Sequence, residues 1–183
     1  GSDLPGRPRL GDLVHALLSR VSGLQRLRLS SVDPAEPDAR LMAVLGDDDR
    51  LMPHLHLSAQ HGDDLVLKQM KRRHLARDVV RFCDEARRRR SDIVFGADII
   101  AGFPTETEDA HNATRQMIHR AGITYLHVFP FSPRTGTPAA RMRQIDGDTI
   151  RRRARDLRED GTRRMRSFLD NAVGSFDQML VEG

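Results

Sequence analysis

The sequence predicts an α/β fold in which parallel strands are wrapped by outer helices as an incomplete (β/α) barrel of the TIM type. Four short β-type runs (Leu27 to Ser31, His54 to Ser58, Ile93 to Ile100 and Thr124 to Phe129) begin about thirty to forty residues apart. Helical periodicity fills each gap between them, the alternation that places helices around a parallel sheet. A length of 183 residues is short of the ~250 that a complete barrel takes.

The elements follow in order. The opening Asp3-Leu4-Pro5-Gly6 reads as a loop feeding a helix with no strand before it, a start in the middle of a domain. Leu10 to Val21 repeats apolar residues at Leu13, Val14, Leu17, Leu18 and Val21, the three-and-four spacing of a one-sided helix. Ala39 to Leu45 and Asp64 to Met70 are shorter helical stretches. Val79, Val80, Phe82, Cys83 and Ala86 mark a helix that runs into Arg87 to Arg90, whose charges suit its C-terminal dipole. Thr105 with Glu108 forms a capping box that opens a helix through Ala121, ended by Gly122. Between Pro130 and Pro138 lies an ordered loop, and Thr137-Pro138 can start a short helix. A last helix covers Thr149 to Leu169, and Gln178 to Val181 reads as the beginning of another strand.

Composition narrows the classes of function. Apolar residues at 38% and charged residues at 31% describe an ordinary globular chain. No apolar run approaches the ~18 residues needed to cross a bilayer, so a membrane partner is not expected. Gly1-Ser2 is set aside as a tag remnant. The net charge of +4 is carried almost entirely by arginine. Clusters at Arg87 to Arg90, Arg151 to Arg155 and Arg163 to Arg166 suit phosphate binding, but interspersed acidic residues favour solvated helix faces. Cys83 is the sole cysteine, which excludes a disulfide framework and a cysteine-ligated cluster or zinc site built from these residues; the default compartment is the cytoplasm. On an amphipathic helix, a lone cysteine reads as a small buried apolar residue.

In parallel α/β folds ligands bind at the C-terminal ends of strands, and here those ends are polar and glycine-rich. Gly102 has no Cβ and lets a ligand approach the backbone. N–H groups near Thr105 and Glu106, at a helix start, suit a carboxylate or phosphate. Gln60 offers donor and acceptor to a ribose hydroxyl or base edge, and Ser58 is a smaller, structural alternative. Asp98, in an apolar strand, is expected to be buried and paired, either as a site residue or as a structural carboxylate. His54 and His56 share one strand face, with Leu55 and Leu57 on the other. With His127 and Asp98 they compose the His-x-His pattern of metal-dependent hydrolases. They precede the strand end, however, and polar barrel filling is favoured, so no metal ligand is assigned.

Taken together the strings LRLSSVDP, PHLHLSAQHGDD, LKQMKRRH, DIVFGADIIAGFPTETE and LHVFPFSPRTGTPAARM resemble the radical S-adenosylmethionine (SAM) domain of MiaB-like tRNA methylthiotransferases, in the MtaB-type branch. The similarity runs from Asp3 to about Met142 and more loosely to Glu182. It implies SAM and a 4Fe-4S cluster held by a CxxxCxxC loop in the full-length protein, with methylthiolation of a tRNA adenosine beside the anticodon, the threonylcarbamoyl-adenosine in this branch. It implies that Ser58 and Gln60 lie near the SAM ribose and methionine, and that Ile100, Gly102 and Glu106 support the adenine. It implies that Phe129 and Phe131 line the same pocket, beside which Asp98 stays a cofactor-binding candidate from its residue type, and that Ser132, Arg134, Thr137 and Pro138 face the substrate.

The resemblance has departures. Ala59-Gln60-His61-Gly62 stands where the family usually has Leu-Gln-Ser-Gly. The cluster cysteines are absent, so no cluster is expected here and no catalytic residue is assigned. Residues 3–176 are then part of the barrel, and 177–183 the start of a truncated TRAM-like segment. Other radical SAM enzymes, of the coproporphyrinogen-oxidase or elongator type, share the GFPTET strand end. A non-catalytic RNA-binding domain is an alternative of another class. Open sheet edges make a homodimer possible.

Overall fold

A computed structural model describes residues 3–35 and 38–176. Three parallel strands, β1 (His54–Gln60), β2 (Val94–Ala101) and β3 (Ile123–Pro130), form one open sheet in that order. The helices are α1 (Leu10–Arg20), α2 (Ala39–Asp47), α3 (Asp64–Gln69), α4 (Ala76–Arg89), α5 (Glu108–Ala121) and α6 (Gly147–Ala172), with a 3-10 turn at Pro138–Arg141. The expected α/β class, parallel strands and outer helices are therefore present. The strand expected over Gln178 to Val181 lies outside the described residues.

One expected strand is absent. Leu27 and Val32 make only isolated parallel bridges, to Leu51 and Leu57. Ser31 sits at φ 54°, which turns the chain out of the extended region and breaks the ladder between the two bridges. The segment still follows the edge of β1, where Val32 N–H donates to His56 O at 2.7 Å.

Alternation along the strands separates two faces. Leu55, Leu57, Phe95, Ala97 and Ile99 are buried and join Val14, Leu18, Leu41, Leu45, Phe82, Ile118 and Leu157 of the helices in one core. Cys83 belongs to that core, and burial pushes its thiol up to about 12, so it is a packing residue and not a nucleophile. The other face carries His54, His56, Ser58, Asp98, Ile100, Tyr125, His127 and Phe129, and no described helix layer covers it. In register, Asp98 pairs with His127 and Ile100 with Phe129.

The helix after β2 starts later than the local pattern suggests. Thr107, not Thr105, is its N-cap, its hydroxyl accepting from Ala110 N–H at 3.1 Å. The residues before it close a turn, Glu106 N–H to Phe103 O at 2.8 Å. Gly122 ends α5 at φ 62°, as expected of a left-handed cap.

Most arginines of the clusters serve the fold. Arg88 and Arg89 pair with Glu85, Arg90 with Asp92, Arg152 with Glu108 and Arg163 with Asp160. Arg87 donates to Ala121 O and stacks 5.0 Å over Phe95. These pairs neutralise much of the clusters' charge within the fold.

Candidate functional site

Above the C-terminal ends of the strands lies a cavity of about 500 Å³ lined by Gln60, Asp98, Ile100, Phe129, Pro130, Phe131, Ser132, Arg134, Thr137 and Ala139. Ligand sites of small-molecule enzymes span ~300–1,000 Å³ with mostly apolar walls and few polar groups, and this cavity has that character. Gln60 reaches it because the β1–β2 register shifts between Leu57 and Gln60 and its backbone takes φ 65°. Phe131 is set by two contacts: its N–H donates to Ala101 O at 2.8 Å, and its ring meets Phe103 edge-on at 5.3 Å. Val66, Phe103 and Ala110 form a small buried cluster beneath, against which Phe131, Ala139 and Met142 pack. On the rim, the Thr137 hydroxyl donates to Arg134 O at 2.8 Å and accepts from Ala140 N–H at 3.3 Å, holding the loop while the Arg134 side chain stays exposed.

Of the residues expected from the sequence, Gln60, Asp98, Ile100, Phe129, Phe131, Ser132, Arg134 and Thr137 converge on this cavity. Ser58 shares the inward strand face, but neither it nor Gly102 nor Glu106 is part of the wall. Gly102 does have φ 81°, yet a Cβ there would stand 2.6 Å from Ile150 Cγ1. The close approach it permits is therefore that of α6, not of a ligand. Nor is Asp98 fully buried: its side chain is 26% exposed and accepts from His56 Nε2 at 2.9 Å.

Glu106 differs most from expectation. The N–H groups of the turn are not offered to a ligand, because its own carboxylate, 1% exposed, accepts from Gly102 and Phe103 N–H. Around it stand His111 Nδ1 at 3.4 Å, His61 Nε2 at 3.8 Å and Arg153 Nη1 at 3.8 Å. Burial works to raise the carboxyl's pKa, but His111, His61 and the Gly102 N–H prevail and hold it down at about 2. Asp63 N–H donates to His61 Nδ1 at 3.0 Å, which leaves the proton on Nε2, facing Glu106. Arg153, 5% exposed, donates to Glu106 O at 2.9 Å and reaches Glu108 at 3.2 Å. This buried charge cluster ties the loop after β2 to α5 and α6, and so fixes one border of the cavity.

The members from α5 were missed but carried a signal. His111 and Thr114 fall at core-facing helical positions with Ala110, Met117, Ile118 and Ala121, and polar residues on an apolar stripe imply buried partners. Arg153, inside an arginine run, carried none.

A nucleoside-sized cavity at the C-terminal edge of an open parallel sheet, with aromatic walls and a few convergent polar groups, defines the ligand-binding part of an α/β-barrel-type enzyme domain. The chain belongs to the Radical SAM superfamily, whose family model matches residues 2–118. It is 47% identical over 182 residues to the threonylcarbamoyladenosine tRNA methylthiotransferase MtaB of Rickettsia prowazekii, covering 100% of this chain and 43% of that one. It is 37% identical over 175 residues to the tRNA-2-methylthio-N(6)-dimethylallyladenosine synthase of Bartonella bacilliformis, covering 95% and 38%. The chain thus spans less than half the length of the curated relatives it matches. Among solved structures, the radical SAM coproporphyrinogen III oxidase HemN of Escherichia coli superposes with a TM-score of 0.60 at 16% identity, covering 92% of this chain and 38% of that one, a likeness of fold.

The Radical SAM superfamily works with SAM and a 4Fe-4S cluster. The cavity's size and lining fit SAM: aromatic rings and Ile100 for an adenine, Gln60 and Asp98 for hydroxyl and amino groups. The donor set does not fit a cluster, since Cys83, the single cysteine of the 183 residues, is buried in the core on the opposite face of the sheet.

Proposed function

We propose that this chain is the SAM-binding wall of a radical SAM tRNA methylthiotransferase acting on the threonylcarbamoyl-adenosine next to the anticodon, in the cytoplasm. The observation that carries this is the convergence of Gln60, Asp98, Ile100, Phe129 and Phe131 on one cavity in a chain of 47% identity to a protein of that name. A 4Fe-4S cluster, which the single cysteine of this chain cannot hold, would supply the electron for SAM cleavage. The residues of this chain bind and orient: Phe129 and Phe131 give the adenine a flat apolar surface, and Gln60 and Asp98 take its polar appendages. Ser132, Arg134 and Thr137 present a polar rim to the incoming tRNA base.

Nucleoside mass spectrometry of tRNA tests this directly. Deleting the full-length gene is expected to remove the methylthio group from threonylcarbamoyl-adenosine, and a full-length Phe131→Ala variant to restore it poorly. Unchanged methylthiolation in the deletion strain overturns the assignment. The 183-residue chain alone is expected to show no turnover and, treated with iron and sulfide, no stable brown species. A reconstituted 4Fe-4S absorption band from this chain would refute that. Salt-dependent tRNA binding without SAM affinity would favour an RNA-binding module instead, though the internal pairing of the arginines speaks against it.

The outer edge of β3 has no strand partner among the described residues, and we assign any homodimerisation of this chain to that edge. Sedimentation velocity is expected to show self-association at high concentration; a clean monomer there sinks the idea.

A further inference from the structure

The inward face of the sheet carries a second cluster, sharing only Asp98 with the cavity wall. His56 Nε2 lies 2.9 Å from Asp98 Oδ1, and His127 Nδ1 lies 3.5 Å from the same oxygen. The three atoms that would serve as ligands are all within 4.8 Å of one another. They come from three adjacent strands, and register brings them level: Asp98 faces His127 directly across β2–β3. His56 has to lean over β2 to reach Asp98, and Gly96 makes that possible. A Cβ at Gly96 would stand 2.5 Å from His56 Nδ1 and would push the imidazole away. His54, the other histidine of the pair, does not join them. Its ring stacks on His56 and meets Tyr125 edge-on, and Arg28 approaches its Nε2 at 3.4 Å.

We propose that His56, Asp98 and His127 form a binding site for a divalent transition-metal ion of the zinc class. The proposal stands apart from the radical SAM reading, because it concerns metal held by this chain's own side chains. Two imidazoles and a carboxylate suit zinc, iron(II) or cobalt(II). Ion–ligand bonds of ~2.0–2.2 Å put neighbouring tetrahedral ligand atoms about 3.3–3.6 Å apart; the two distances to Asp98 are 2.9 and 3.5 Å, and the His56–His127 pair lies within 4.8 Å. The His56 contact with Asp98 is a good hydrogen bond, whereas His127 at 3.5 Å is too distant for one. The latter's side chain is 62% exposed, yet its Nδ1 is turned to the same carboxylate oxygen. Rotation of this exposed ring closes the remaining gap. On binding, the proton between His56 Nε2 and Asp98 moves to the Nδ1 of that ring, so both imidazoles bind neutral. Three protein ligands leave a fourth position open. Since Asp98 also lines the cavity, a water or an oxygen of the cavity's occupant would complete the coordination.

Cobalt(II) titrated into the 183-residue chain tests the proposal. The expected result is one equivalent bound with visible d–d absorption of tetrahedral type, displaced by zinc. Asp98→Asn and His127→Ala are each expected to weaken binding at least ~10-fold, whereas His119→Ala, on α5 and paired with Arg164, leaves it unchanged. The exposure of His127 lets its variant fold, which circular dichroism verifies. Absence of the d–d bands, or binding that survives both Asp98→Asn and His127→Ala, overturns the proposal.

Discussion

Glu106→Ala is expected to remove about 3–5 kcal/mol of stability, a large share of what a single domain possesses. The carboxylate is 1% exposed, and the alanine leaves Gly102 and Phe103 N–H without their acceptor. It also leaves His61, His111 and the buried Arg153 facing an uncompensated space. Arg153 keeps Glu106 O and Glu108, so most of the cost comes from the two N–H groups and the buried imidazoles, which lose their acceptor where water cannot replace it. Glu106→Gln keeps one acceptor and the shape, and should cost less, about 1–3 kcal/mol. Chemical denaturation measures both, and a midpoint unchanged by Glu106→Ala would contradict the buried-cluster account. The pH dependence has a definite sign. The folded carboxyl sits at about 2 against an ordinary 4.5. Its contribution is therefore complete above pH 4.5 and is lost as pH falls toward 2. The difference between wild type and Glu106→Gln should shrink through that window.

Gly62→Ala is expected to cost about 2–4 kcal/mol, through backbone collision and not through lost freedom. A Cβ at Gly62 would stand 2.4 Å from Thr114 Cα and 2.8 Å from Ala113 O. Both are helix backbone, so no side chain can swing aside; the loop after β1 must lift off α5. Lifting breaks Gly62 N–H to Thr114 Oγ1 at 2.9 Å and loosens the Thr114 contact with His61 at 3.2 Å. It also disturbs the support of Glu106, so Gly62→Ala and Glu106→Ala should be non-additive in a double-mutant cycle. A thermal midpoint lowered by less than ~2 °C would show that the loop yields cheaply.

The sequence told more about elements than about their ends. Val14 and Leu18 are the buried side of α1, whereas Leu13 and Val21 of the expected stripe stay exposed; the apolar face from Val79 to Ala86 located α4, because burial on one side imposes a period of 3.6. Leu27 to Ser31 looked like a strand, but Ser31 at positive φ reduced it to two bridges. Thr105 and Thr107 both have the composition of a cap. The choice fell to Thr107, because the Glu106 carboxylate bonds back to Gly102 and Phe103 and needs the turn between them.

By itself the sequence determined the α/β class, the strand ends as the place of the site, most of the cavity wall and the lack of cluster ligands. The class and the strand ends follow from periodicity and residue type, and the lack of cluster cysteines from a count, all properties of the chain taken locally; Ile100, Phe129, Phe131, Ser132, Arg134 and Thr137 were expected only through the family resemblance. Only the tertiary structure decided that Glu106 is an internal anchor and Gly102 a seat for Ile150. The same holds for the meeting of His56, Asp98 and His127 around one oxygen. Each depends on atoms brought together across strands or between helices, at distances that a register shift or one more methyl group would abolish, and no local pattern records such a distance.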